Sequence, residues 1–388
     1  MRDPISDDCG AFARFEAILF ADEALQQALA EPVREDAFVA AAVEAAAARG
    51  VALQPEALAR RLRPDPVGLA ALLGSAPLRD APPPGDWLPI GAVPTIGGAL
   101  RIEWAHFAGS PLAESFYHVS AQRARARPFN AAFGCTTPLV RDDARAPDGI
   151  VFHQSRCGST ALSRMLGALP NAVSLSEAAP VDAVLRLGDG ADRVSALRSI
   201  LAPFGRRAEQ GGGPFFVKAD GWHSLFLPVF RAAFPETPWI FLFRDPVEIL
   251  VSQSRSRGAI TVPALVEPAL FGLDGAGSAP AVEYCARVLA RIAEAALDHR
   301  GLGGGLFVDY ADFPAAIAAK ILPHFGVTPG AAGRDAMAKA AAIDAKSPLQ
   351  LFTPDAEAKR RDAPEAVRVA AETWMRPVYR RLAEAAGQ

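Results

Sequence analysis

A chain of 388 residues, 51% hydrophobic and 21% charged, can bury at least one full-sized core, which excludes a disordered chain. Its formal net charge of −3 gives no global basic field of the kind that gathers nucleic acid or an anionic membrane surface, so any anion site must be local. No apolar run approaches the roughly 20 residues that span a bilayer.

The first 80 residues carry 13 acidic and 8 basic side chains, so the basic excess lies further along. Met1-Arg2-Asp3-Pro4 lacks the basic and apolar regions of a secretory signal. Cys9, Cys135, Cys157 and Cys285 are scattered singly, without the spacing of a zinc site or the density of a disulfide scaffold. These features lead us to expect a cytoplasmic protein with no metal centre, no nucleic-acid partner and no membrane partner.

In chain order, Phe12 to about Leu62 has helical periodicity: Phe12, Phe15 and Leu19 share one face, and Phe38, Val39 and Val43 another. Two or three short helices are expected over residues 1–76. Residues 77–94 hold Pro77, Pro82, Pro83, Pro84, Gly85 and Pro89, which predicts a linker. Residues 95–388 then form the larger domain. Its opening stretch, with Trp104, Phe107, Phe116, Tyr117 and Phe129, has the composition of packing residues without a clear element pattern. Beyond it, short apolar runs alternate with amphipathic stretches: Gly149-Ile150-Val151-Phe152, Phe215-Phe216-Val217, Trp239 to Phe243, and Leu306-Phe307-Val308. That pattern predicts buried parallel strands with crossover helices, hence an α/β three-layer α/β/α core around a central parallel sheet, with its motifs in residues 148–330.

The first of these strands runs through His153 into Gln154-Ser155-Arg156-Cys157-Gly158-Ser159-Thr160 and then a helical pattern. A strand, a tight polar loop and a helix start make a phosphate cradle. Gly158 lets the backbone approach an anion, and Ser159 and Thr160 add hydroxyls to the helix-start N–H groups. A nucleotide triphosphatase loop would carry glycine and lysine where His153 and Ser159 stand, so a kinase is the weaker enzyme reading.

The loop resembles that of the sulfotransferase superfamily that uses 3′-phosphoadenosine 5′-phosphosulfate (PAPS), in which a Lys or Arg precedes a small-Gly-Ser/Thr-Thr sequence. The resemblance implies a P-loop-type fold and makes Ser155, Arg156, Cys157, Gly158, Ser159 and Thr160 the 5′-phosphosulfate loop. Arg156 is then expected to act electrostatically on the leaving group, because a guanidinium does not release its proton. Phe243-Arg244-Asp245-Pro246 through Ser252 resembles the family's 3′-phosphate motif, which implies that Arg244 and Ser252 grip that phosphate. Phe307-Val308-Asp309-Tyr310-Ala311-Asp312-Phe313 resembles the family's C-terminal strand and turn. The family's C-terminal basic loop is not evident; Lys359-Arg360-Arg361 or Lys346 are the available substitutes, and all are equally compatible with a solvated helix.

An acceptor hydroxyl needs a base on a loop at the carboxyl edge of the sheet. The resemblance points first to Glu177, with Asp220 and His223 as further candidates, and to Lys218 as a second cation near the transferring group. Residues 16–62 weakly resemble a nitrile-hydratase-like leader-peptide domain, which would make the acceptor a peptide, or a metabolite brought by a peptide partner, recognised through the N-terminal helices. A non-catalytic nucleotide-binding or peptide-recognition module on the same fold is the alternative from a different class.

Overall fold

The N-terminal periodicity resolves into four helices: α1 (Pro4–Ala21), α2 (Glu23–Ala30), α3 (Glu35–Ala47) and α4 (Pro55–Leu62). Asp22 caps α2 by accepting the Leu25 N–H at 2.9 Å, which ends α1 and turns the chain. These helices belong to a computed structural model that describes residues 4–62, 77–95, 99–143, 145–188, 192–263, 265–344, 349–351 and 353–387.

The apolar faces of α1 and α3 bury against the segment that follows. Strands β1 (Trp87–Pro94), β2 (Leu100–His106) and β3 (Cys135–Pro138) form an antiparallel sheet in the order β1-β2-β3, and α5 (Tyr117–Arg125) and α6 (Pro128–Phe133) connect β2 to β3. Phe12 stacks on Phe133 with ring centroids 5.3 Å apart, and Phe38 meets the same ring edge-on at 6.2 Å. The Trp87 indole N–H donates to Gln26 Oε1 at 2.8 Å inside the interface. Within the expected linker at 77–94, residues 87–94 form the strand β1, so that part is not an irregular connection. Pro89 is tolerated because β1 is an edge strand whose register shifts between Pro89 and Gly91.

The larger sheet is built from β4 (Gly149–His153), β5 (Val173–Ser176), β6 (Phe215–Lys218), β7 (Trp239–Phe243) and β8 (Gly305–Asp309). All pairings are parallel and the order is β5-β6-β4-β7-β8. Every residue of β4, β5, β6 and β7 is buried. Successive side chains point to opposite faces, so both faces are covered and the architecture is the expected three-layer α/β/α core. Its helices include α7 (Ser159–Gly167), α8 (Ala179–Leu185), α9 (Arg193–Gly211), α10 (Leu227–Ala233), α11 (Pro246–Arg255) and α12 (Ala281–Asp298). The C-terminal part adds α13 (Ala331–Ala341), α14 (Ala356–Arg361), α15 (Glu365–Ala370) and α16 (Arg376–Ala386). No helix among the described residues is long and apolar enough to cross a membrane.

The chain leaves β4 toward β5 and β6 on one side, then crosses to β7 and β8 on the other. The crevice beside β4, at the carboxyl ends of the strands, is therefore the topological switch point where open α/β sheets bind ligands. All the loops singled out from the sequence leave the sheet at this edge.

Candidate functional site

The loop after β4 is held in a conformation that side chains rarely adopt. Ser155 has φ +23°, Arg156 φ +58° and Gly158 φ +93°. Left-handed non-glycine residues cost energy, and only five occur among the described residues; Ser155, Arg156 and Glu177 are three of them. A Cβ on Gly158 would lie 2.2 Å from the Tyr310 ring, so this position needs glycine for space as well as for conformation. The loop leads directly into the first turn of α7, whose N-terminal N–H groups have no partner within the helix.

Two side chains tie the loop to α11 and the residue after it. The Ser155 hydroxyl accepts from Gln253 Nε2 at 3.1 Å, and the Arg156 guanidinium donates to the Ser256 carbonyl and, at 2.9 Å, to the Ser256 hydroxyl. Ser159 and Thr160 are buried at the start of α7. Burial pushes the Cys157 thiol up to about 11, against the opposing pull of the Ser159 and Gln154 N–H groups and of the Lys218 and Arg244 cations. The thiol is therefore protonated at neutral pH and is no nucleophile. The loop follows β4, which lies in the sheet between β6, whose last residue is Lys218, and β7, which Arg244 follows, so it is flanked by two positively charged groups.

The first group centres on Lys218, the last residue of β6, with only 1% of its side chain exposed. Its ammonium donates to Glu177 Oε1 and, at 3.3 Å, to the Ser176 hydroxyl, and it lies 5.1 Å from the centroid of the Phe116 ring. Glu177 follows β5 at φ +49°, with its N–H bonded to the Lys218 carbonyl at 2.9 Å. His153 Nε2 is 3.4 Å from Glu177 Oε1, and neither nitrogen of this buried ring has a hydrogen-bond partner among the described residues. Burial alone would raise the Glu177 carboxyl, but the Lys218 charge and the adjacent His153 outweigh it and hold the group well below the usual carboxylate range. Burial pushes the His153 ring down, against the pull of the neighbouring Glu177 carboxylate.

Asp220 and His223 form a capping box at the start of the turn after β6. Asp220 Oδ1 accepts the Gly221 N–H at 2.5 Å. His223 Nδ1 accepts the Asp220 N–H at 3.0 Å, and its Nε2 lies 2.6 Å from Asp182 Oδ1. Both ring nitrogens of His223 are thus engaged in fixing the turn. Burial, with the neighbouring Glu177 charge, raises the Asp220 carboxyl to about 7.

The second group centres on Arg244, which follows β7. Asp245 caps α11, accepting from Val247 at 2.9 Å, and this sets the chain's direction after Arg244. Arg244 Nε donates to Glu248 Oε2 at 2.5 Å, and its guanidinium lies 4.3 Å over the Tyr310 ring. Arg360 reaches the other Glu248 oxygen at 2.9 Å. Asp355 lies among Lys359, Arg255 and Arg244. Ser252 is one turn beyond Glu248 on the same face of α11, and its hydroxyl donates to the Glu248 carbonyl at 2.9 Å. Arg361 pairs with Asp362 at the surface. Lys346 lies outside the described residues.

No family model and no curated protein matches the chain. Among solved structures it is similar to the sulfotransferase domain from the curacin biosynthetic pathway, at 16% identity and TM-score 0.40, covering 62% of this chain and 98% of that one. It is also similar to the sulfotransferase domain of the Synechococcus PCC 7002 olefin synthase, at 18% identity and TM-score 0.39, covering 61% of this chain and 96% of that one. A sulfotransferase from Alicyclobacillus acidocaldarius gives 16% identity and TM-score 0.37, covering 63% of this chain and 97% of that one.

The site thus has cations on either side of one strained loop: Lys218 beside β4 on one side, and Arg244 with Arg255, Lys359 and Arg360 on the other. This donor set suits a ligand with two separated anionic groups. Phe116, Ser115, Glu248 and Asp355 were not identified from the sequence. Phe116 sits in a run of aromatic packing residues, Glu248 lies within the Phe243–Ser252 motif but was given no role there, and Asp355 lies outside every motif, so only the tertiary fold shows their part in the site.

Proposed function

We propose that the protein is a sulfotransferase that transfers the sulfuryl group of PAPS to a hydroxyl acceptor. The observation that carries this reading is that the strained loop Ser155–Gly158 follows β4, the strand between β6, which ends in Lys218, and β7, which Arg244 follows, at the carboxyl edge of the sheet. The loop and the α7 N-terminus would hold the 5′-phosphosulfate, while Arg244, with Ser252 on the next helix, would hold the 3′-phosphate.

When bound, PAPS supplies a sulfuryl group on a phosphate leaving group. The acceptor oxygen bonds to sulfur as the bond from sulfur to the bridging oxygen breaks, and the electron pair departs with 3′-phosphoadenosine 5′-phosphate (PAP). Arg156 and Lys218 stabilise the negative charge that develops. Glu177 takes the acceptor proton. Its low proton affinity in the ligand-free site comes from Lys218, and an anion seated there competes for that ammonium and frees the carboxylate. The acceptor chemistry that the site calls for is a nucleophilic hydroxyl.

Calorimetric titration with PAP tests the nucleotide reading. Wild type is expected to bind, and Arg244→Ala to bind about 100-fold more weakly, the worth of one charge-assisted contact pair. Absence of binding by wild type overturns it. Glu177→Gln is expected to keep PAP affinity while losing about 100-fold or more in transfer from labelled PAPS into extract acceptors.

A further inference from the structure

We infer that the Asp355 carboxylate occupies the seat of the nucleotide's 3′-phosphate in the ligand-free protein, that Lys359 and Arg255 belong to this seat beside Arg244, and that nucleotide binding expels Asp355. The inference rests on the function proposed above.

Three cations surround this one carboxylate: Lys359 four residues along from it on α14, Arg244 just before α11, and Arg255 at the end of α11. Lys359 Nζ is 2.8 Å from Oδ1, Arg244 Nη2 is 3.8 Å from the same oxygen, and Arg255 Nη1 is 3.5 Å from Oδ2. Only Lys359 is within hydrogen-bond distance, and the two guanidinium groups face the carboxylate as looser ion-pair contacts, which leaves donors for a larger anion such as a phosphate. Arg244 and Lys359 are each only 9% exposed, and like charges brought so close out of water need an anion between them. Burial pushes the Lys359 ammonium down, the Arg244 and Arg255 charges push it further, and Asp355 opposes them.

The two carboxylates of the cluster differ in kind. Glu248 is 5% exposed and holds Arg244 through Nε and Arg360 through its other oxygen, so it is a fixed brace that turns the Nη edge of Arg244 toward the seat. Asp355 is 43% exposed and meets the Arg244 Nη edge only loosely. It stands at the N-cap position of α14, yet its side chain makes no capping hydrogen bond among the described residues, so its contacts are with the cations. With Glu248 and Asp355 both counted, Arg244, Arg255, Lys359 and Arg360 still leave a positive excess. A dianionic phosphate neutralises that excess better than one carboxylate does.

The experiment is titration of the full chain with PAP and with adenosine 5′-phosphate, which lacks the 3′-phosphate, for wild type, Asp355→Ala, Asp355→Asn and Lys359→Ala. A carboxylate in place for roughly nine-tenths of the time reduces apparent affinity about tenfold. Both Asp355 variants are therefore expected to bind PAP about tenfold more tightly than wild type, with adenosine 5′-phosphate unchanged, and Lys359→Ala to bind PAP more weakly. A gain of affinity is not what loss of a structural residue produces. PAP binding that is unchanged or weakened in folded Asp355→Ala, or failure of both Asp355 variants to fold, overturns this inference alone. Absence of PAP binding by wild type overturns the nucleotide reading and this inference with it.

Discussion

Lys218 carries its charge almost wholly out of water, and Glu177 is the counter-charge that makes this tolerable. Removing one partner of a buried pair leaves the other uncompensated, which costs about 3 kcal/mol. Lys218→Met is expected to lose about that much, read from urea unfolding at neutral pH. An unchanged midpoint would mean that the pair is solvated and not part of the core. Asp220 makes the opposite kind of prediction. Its carboxyl is raised from 3.8 to about 7 in the folded chain. The unfolded chain therefore releases this proton first, and Asp220 destabilises progressively as pH rises between those two values. Below about 4 the group is protonated in both states and the penalty vanishes. Asp220→Asn is expected to flatten the fall in stability between about pH 4 and pH 7, measured by urea unfolding across that range. The opposite sign holds for Glu177, whose lowered carboxyl gives stability that is fully present above the usual carboxylate range and lost progressively as pH falls from that range toward the lower folded-state value. Sequence alone left Glu177, Asp220 and His223 as alternative bases because their proton affinities depend on burial and on neighbours brought together by separate strands. The capping role of His223 and the Lys218 pair with Glu177 exist only in the folded chain.

At the scale of elements, the loop after β4 depends on Gly158. An alanine there meets two obstacles: φ +93° and a Cβ 2.2 Å from Tyr310. Left-handed backbone alone costs a residue with Cβ about 1–2 kcal/mol. Gly158→Ala is expected to lose at least that much stability and to abolish measurable PAP binding. Adding Tyr310→Ala should relieve the collision but leave the backbone strain, so recovery would be partial. Full recovery would show that the conformation is dispensable. The loop was legible from the sequence because its residues are local, a strand-ending apolar run followed by small and polar residues and a helix. The strands β4, β6, β7 and β8 were legible for the same reason, since buried parallel strands are continuous apolar runs. β5 was not, because Val173–Ser176 alternates with serine. Ser174 is nevertheless buried, its hydroxyl donating to the Ser163 carbonyl on α7 at 3.1 Å. A polar residue satisfied by a neighbouring helix breaks the apolar run without breaking the strand. β1 was hidden by its prolines, which an edge strand accommodates.

At the scale of the molecule, the N-terminal helices, the antiparallel sheet and the parallel sheet are physically continuous. α1 and α3 bury aromatic rings against Phe133 on α6. The Tyr117 hydroxyl donates to the Pro89 carbonyl at 2.8 Å, and its ring meets Phe204 of α9 edge-on at 5.4 Å. The Ser176 hydroxyl, one residue from Glu177, donates to the Ser115 carbonyl at 2.9 Å, so the segment that leads into α5 borders the candidate site directly. Units sharing this much buried contact lose their folded partners together. Scanning calorimetry of the full chain is therefore expected to show one transition, and PAP to raise it because the ligand binds only the folded site. Phe133→Ala, on α6 and outside the loop after β4, should move that same transition downward by removing a fully buried ring, at a cost of about 3 kcal/mol. Two transitions, with Phe133→Ala moving only one and PAP only the other, would show instead that the N-terminal helices and the parallel-sheet core are energetically separate. In that case the contacts through Ser115 and Tyr117 would be too weak to couple any event on the N-terminal helices to Glu177.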